Sequence, residues 1–278
     1  MVSAIESVML RVDDLESALR TFRDELGLVV VSDGRASVGL LSAWRYPVHE
    51  SVRLVELASG RPAVARLRLA CFEDFGSSPD ALPFGPQLLD FRSGAPCPSA
   101  TGARLGSTGQ RWIAPAYRAG ADPRSASETI AWVWVRTADL ENARRFYAEG
   151  LGFAERPLDE DAVSCPEPFA ALLGMPAGAR LRLCALHSAE DPQGGVVLFE
   201  YPDETRTVRP LRPVGRPGIN LLSCRCARLD ELIDRLERLG IEPLSPPAHV
   251  GLPRGLPGLV MVVRGPNDEL FEFIDETD

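Results

Sequence analysis

Hydrophobic and polar positions repeat one pattern three times along the chain. Residues 129–156 read TIAWVWVRTADLENARRFYAEGLGFAER. The β-branched and aromatic run from Thr129 to Thr137 predicts a strand. Asp139 follows in the place of a helix N-cap. Leu140, Ala143, Phe146, Tyr147 and Leu151 then recur at helical spacing and make one apolar face. Gly150 and Gly152 stand where the helix must stop, and Phe153 opens another strand. The same order occurs near the start, in AIESVMLRVDDLESALRTFRDELGLVVVS, with Leu15, Ala18, Leu19, Phe22 and Leu26 as the face and Gly27 as the stop. It occurs again in GINLLSCRCARLDELIDRLERLGIEPLS, with Leu229, Leu232, Ile233, Leu236 and Leu239 followed by Gly240. A strand–helix–strand unit repeated within one chain decides the fold class.

Between these units the pattern is less regular. Strands are expected at 28–32, 51–58 and 65–72, the last two as a hairpin around Ser59-Gly60-Arg61-Pro62. A short helix is expected at 41–46. The pentapeptide ARLRL at 65–69 recurs at 179–183, a further hint of duplication. Residues 76–128 are rich in Gly, Pro, Ser and Ala and carry no amphipathic helix. Strands fit 85–93 and part of GQRWIAPAYRAG, so this region reads as a degenerate module running into a linker near 121–127. The alternative is that 88–91 closes the first module. Residues 202–217 read as a linker, and 246–258 as a long loop of the kind that covers cavities.

These units resemble the vicinal oxygen chelate superfamily of glyoxalase, bleomycin-resistance and extradiol-dioxygenase proteins. FAALLGMPAGARLRLCALHSAEDPQGGVVLFEYPDE is similar to that family's short helix, third strand, hairpin and fourth strand. GLVMVVRGPNDELFEFID is similar to its closing hairpin, with a Gly-Pro-Asn-Asp turn and a Glu after it. The resemblance implies an α+β fold of tandem βαβββ modules, paired into cupped sheets around a ligand cavity. It further implies a glyoxalase-like N-terminal domain over 1–125, incomplete because its second module is degenerate. A C-terminal domain over 126–278 would hold two complete modules.

Composition narrows the function. A net charge of −9 argues against a nucleic-acid backbone or an anionic membrane as partner. All 30 basic residues are arginine, which excludes a Schiff-base lysine and a lysine-bearing phosphate loop. There is no long apolar run and no basic-then-apolar leader, so a cytoplasmic location is expected. The six cysteines form no CxxC pair and read as small buried apolar residues in a reducing compartment.

The resemblance also locates the chemistry. Members of the family use four strand positions facing the cup, two on first strands and two on last strands, to hold a divalent metal. A hard or borderline cation wants nitrogen and oxygen donors there, with positions left open for substrate. Counting back from Asp139 puts Trp132 at the first position. Its equivalent in the last unit is Leu221, or Asn220 if the register slips by one. The last strands offer Glu200 and Glu272. Ser7 takes the first position in the opening unit, with Asp90 as its partner. Both imidazoles are missing, so no metal and no other cofactor is expected.

The three histidines, His49, His187 and His249, make no ligand cluster; His249 stands out because its loop is expected over the cavity. Trp132, Trp134 and Arg136 alternate with Val133 and Val135. With the helix on the valine face, two indoles and a guanidinium line the cup and suit a planar or apolar ligand with an anionic or carbonyl group. The alternative is that both indoles only fill the core. Glu200 and Glu272 facing one apolar cavity would have raised pKa values and move protons; the alternative is pairing with Arg180, Arg182 or Arg264. The expected function is metal-independent binding of an apolar or aromatic metabolite, for sequestration or for cofactor-free isomerase, lyase or cyclase chemistry. A metal-dependent dioxygenase or glyoxalase with an unusual ligand set is the alternative. A small organic ligand is the expected partner, and a homodimer is an arrangement the resemblance allows.

Overall fold

A computed structural model of the chain describes residues 2–59, 65–72, 85–92, 103–105, 111–113, 129–156, 162–165, 167, 170, 175–176, 178–189, 195–201, 218–252 and 257–275. The expected linkers at 121–127 and 202–217 lie outside them. The first unit runs β1 (Val2–Arg11), α1 (Leu15–Leu19), β2 (Val29–Arg35), α2 (Val38–Ala43), β3 (Val52–Ala58) and β4 (Arg66–Phe72). It is a complete βαβββ module. The second contributes β5 (Gly85–Arg92), β6 (Ala103–Leu105) and β7 (Arg111–Ile113). The third runs β8 (Thr129–Thr137), α3 (Leu140–Arg145), β9 (Phe153–Arg156), β10 (Ala162–Ser164), β11 (Arg180–Ser188) and β12 (Gly195–Glu200). The fourth runs β13 (Gly218–Cys226), α4 (Leu229–Arg238), β14 (Ala248–Gly251), β15 (Pro257–Arg264) and β16 (Leu270–Asp275).

Two mixed sheets result. The terminal sheet has the order β14-β15-β16-β13-β1-β4-β3-β2. The central sheet has the order β10-β11-β12-β8-β5-β7-β6, with β9 also on β11. Pairing therefore crosses the division expected near residue 125. The first unit joins the fourth through antiparallel β1 and β13, and the second joins the third through antiparallel β5 and β8. The two complete modules of 126–278 do not form one cup, and each cup closes within one chain. The repeat marks the units, but every first strand offers the same edge, so the pattern does not say which two meet.

Local signals explain the helices. The Asp14 and Asp139 carboxylates accept from the backbone N–H of Ser17 and Asn142, as N-caps do. Both α1 and α3 widen into a π-helical turn, over Arg20–Glu25 and Phe146–Gly150. Gly27, Gly152 and Gly240 then reverse the chain at φ of 72°, 78° and 72°, a region costly for any residue with a Cβ. Gly150 is not part of the stop. A Cβ there would lie 3.1 Å from Leu239 of the neighbouring unit, so its role is to let two helical segments pack closely.

One core cluster draws on both sheets and on the helices, with Phe22, Val133, Val135, Phe146, Leu198, Leu222, Leu236 and Phe271 among its members. The opposite face of each sheet carries its own smaller cluster. The two cups are thus joined through their helix-bearing faces. Polar contacts also join the two sheets: the Tyr147 hydroxyl donates to Glu269 Oε1 at 2.9 Å, and the Ser188 hydroxyl donates to the Val2 carbonyl oxygen at 3.2 Å. Asn267 N–H donates to Glu269 Oε2 at 2.7 Å. Burial pushes the Glu269 carboxyl up, while these donors pull against it.

Because that pKa is raised on folding, the carboxyl favours the folded state below its unfolded pKa. The contribution is lost as pH rises through the folded value. Tyr147→Phe removes a donor that favours the ionised form. Its cost should be about 1.5–3 kcal/mol once Glu269 ionises and should shrink at acid pH. Urea melts of both proteins from pH 4 to 8 check this, and a pH-independent difference would count against it. Among the described residues, no helix is long and apolar enough to cross a membrane.

Candidate functional site

The terminal cup is closed by its own chain. Alternation along the strands turns Ser7, Met9, Arg68, Ala70, Leu221, Ser223 and Glu272 away from the helix-bearing core and into this cup. Helix α2, capped by Ser37 on the N–H of Leu40, lays Leu40, Leu41 and the following Trp44 against this face. Trp44 is 1 % exposed. Its indole N–H donates to Glu272 Oε1 at 2.8 Å, while the Ser223 hydroxyl donates to Oε2 at 2.7 Å. Arg68 Nη1 donates to the same Oε2 at 3.0 Å, and its Nε and Nη2 each reach Glu56 Oε1 at 3.3 Å. Burial works against the Arg68 charge, but Glu272 and Glu56 outweigh it and hold the guanidinium above its ordinary pKa. Leu221 is fully buried in the floor.

The long loop expected at 246–258 contains a strand, β14, paired with β15. His249 lies on it opposite Leu259 and is exposed, while Val250 turns toward the terminal cup. His249 and Val250 thus face opposite ways on this strand. His49 is exposed as well, and His187 Nδ1 contacts the Ser188 carbonyl oxygen at 2.8 Å.

Glu200 and Glu272 face no common space, because they lie in different sheets. Glu200 also points the other way. It pairs across strands with Arg182 at 2.8 Å, and Arg182 reaches Glu141 on α3 at 3.3 Å. That places the carboxylate on the helix side. In β12 the residues registered with Trp132, Trp134 and Arg136 are Gly195, Val197 and Phe199. A strand alternates with a period of two, so Glu200 falls on the opposite face from Val197 and Phe199.

The central cup keeps its aromatic floor. Val133 and Val135 carry the helix side, as their alternation predicts. Trp132, Ala185 and Val197 form a buried cluster joined by Trp134 and Leu183. Trp134 lies 6.2 Å from Phe199, ring centre to ring centre. Cys165, Ala170 and Met175 pack with Phe199 and Leu181 at one end. Trp132 is 7 % exposed, whereas Trp134 and Arg136 are half-buried. Asp90 belongs to this sheet, with its backbone opposite Trp132, so it is no partner for Ser7. A separate cleft of about 370 Å³ lies at the junction of the units, among Asn142, Arg145, Phe146, Ile241 and Arg264.

The residues do not fit a divalent metal in the terminal cup, since Leu221 and Arg68 occupy two of the family's positions. Among the described residues, no group of three or more His, Cys, Asp or Glu converges as ligands. Sequence reasoning missed Arg68, Glu56 and Trp44. Counting β4 as the last strand of the first unit would have found Arg68.

Known proteins share this architecture. Residues 129–273 match the model of the Glyoxalase/Bleomycin resistance protein/Dioxygenase superfamily, and the chain belongs to that family. A mutant glyoxalase I from Zea mays is 14 % identical, with a TM-score of 0.65, over 98 % of this chain and 92 % of that one. A putative dioxygenase from Bacillus subtilis is 11 % identical, with a TM-score of 0.62, over 100 % of this chain and 86 % of that one. At such identities the likeness establishes the fold. No curated protein matches the chain in sequence.

Proposed function

We propose that the protein takes a small apolar or aromatic metabolite into the central cup and sequesters it without a metal ion. The observation that carries this reading is the pair Trp132 and Trp134 on the concave face, with Arg136 half-buried beyond them on the same side. Indole faces favour flat apolar ligands, and a guanidinium at one end suits a carboxylate or carbonyl. Sequestration is favoured over acid–base catalysis because both candidate acids are engaged elsewhere. Glu200 pairs with Arg182 on the helix side, and Glu272 is held by three donors in the other cup. A reducing, cytoplasmic setting suits Cys71, Cys165, Cys184, Cys224 and Cys226, which form no disulfide. The reading needs no second copy of the chain.

Titration with planar aromatic carboxylates, followed by tryptophan fluorescence, tests it. A ligand found this way should lose about 1–3 kcal/mol of binding free energy on Trp134→Ala. Arg136→Gln should weaken carboxylates more than their neutral amides. Unchanged affinity in Trp132→Ala and Trp134→Ala would remove the central cup as the site. Chelator-sensitive turnover of any bound compound would replace sequestration with metal-dependent catalysis.

A further inference from the structure

The terminal sheet has a local twofold relation. In antiparallel β1 and β13, Val8 faces Leu222, Ser7 faces Ser223 and Met9 faces Leu221. Met9 and Ser223 each stand five residues before the residue that opens a helix, Asp14 and Arg228, so they are equivalent positions. Arg68 lies beside Met9 on parallel β4, and Glu272 lies beside Ser223 on parallel β16. Arg68 and Glu272 are therefore equivalents, the two last-strand positions of one cup. Elsewhere in this fold family such positions supply acids to a metal. Here one is an acid and the other a cation, and they meet at 3.0 Å.

We propose that Arg68 is a built-in cation occupying the place of a metal ion in the terminal cup, and that Glu56 and Glu272 form a latent cation site exposed only when Arg68 is cut back. The charges support it. One guanidinium serves two carboxylates, and the side chains of Arg68, Glu56 and Glu272 are 5 %, 4 % and 0 % exposed. The remaining donors to Glu272, Trp44 Nε1–H and the Ser223 hydroxyl, are neutral. Removing the guanidinium takes the shared positive charge from two buried carboxylates, an arrangement that attracts a cation able to enter. In the wild type a metal would have to displace a side chain tethered to the sheet. Trp44 and α2 also lie across its approach. The proposal concerns the terminal cup and does not rest on the ligand reading of the central one.

The test compares wild type, Arg68→Ala, Arg68→Lys and Arg68→Met, purified without chelator. Thermal melts are recorded with and without millimolar ethylguanidinium, Mn²⁺ or Zn²⁺, and metal content is read by plasma mass spectrometry. Wild type should show no Glu272-dependent metal and no Tm shift. Arg68→Ala should melt lower and regain at least half the loss with ethylguanidinium or a divalent ion. Adding Glu272→Gln should abolish that response. Arg68→Lys, which keeps the charge, should melt above Arg68→Met. The proposal is overturned if Arg68→Ala melts like wild type or responds to neither cation, or if Arg68→Met matches Arg68→Lys. It is also overturned if wild type holds an ion that Glu272→Gln releases. Should the Arg68 variants not fold, the wild-type metal comparison with Glu272→Gln decides by itself.

Discussion

Glu272→Ala should lower folding stability by about 3–5 kcal/mol, because it breaks a buried ion pair and removes the carboxylate on which three donors converge. The Arg68 side chain is only 5 % exposed, and Glu56 at 3.3 Å would be left to face it. The change also leaves the Trp44 indole N–H and the Ser223 hydroxyl without their carboxylate. Glu272→Gln keeps one acceptor oxygen and the volume but not the charge, so its cost should be smaller. Glu200→Gln makes the contrast. Its partner Arg182 is 45 % exposed, and loss of such a surface pair costs roughly 0–1 kcal/mol. Urea melts of the three variants order them. A Glu272→Ala protein as stable as Glu200→Gln would show that the terminal network contributes nothing.

Gly195→Ala is the second large effect. A Cβ at Gly195 would collide with the Leu186 carbonyl oxygen and lie 2.8 Å from Cζ3 of Trp132. Gly195 is also the residue registered with Trp132 across β8 and β12 and with His187 across β11 and β12. The indole lies over the sheet because this position has no side chain. Overpacking costs about 1–3 kcal/mol where side chains can yield, and more where the backbone must move. Here the carbonyl belongs to a sheet strand, so the upper end or beyond is expected. Trp132→Ala in the same chain would relieve the indole contact but not the carbonyl contact, so rescue should be partial. Tryptophan emission should shift in Gly195→Ala, and ligand affinity should fall with it. A melt and a spectrum indistinguishable from wild type would refute this account of the floor.

Much of the fold follows from the residue pattern. The helical faces of Leu15 to Leu26, Leu140 to Leu151 and Leu229 to Leu236 supply the shared core. The valine–tryptophan alternation of β8 orients the central floor, because neighbouring strand residues must face opposite ways. Other signals misled for equally physical reasons. The two ARLRL pentapeptides fall in β4 and β11, the last strand of one unit and the last but one of another. Glu200 resembles Glu272 in its setting, yet lies on the wrong side of its strand. Gly150 has the spacing of a helix stop but serves helix packing, while Gly152 makes the turn.

The sequence alone determined the repeated unit, its first strand and following helix, and the face that each of these buries. These depend on contacts between residues close in the chain and on a local period of two or 3.6. Only the tertiary structure decided that the first unit pairs with the fourth. It alone placed Arg68 against Glu272 and sent Glu200 and Glu272 to different sheets. Arg68 and Glu272, for instance, are 204 positions apart, and nothing in a local pattern distinguishes one exposed first strand from another. Which edges meet is settled by the packing of whole units, and with it which charges share a cavity.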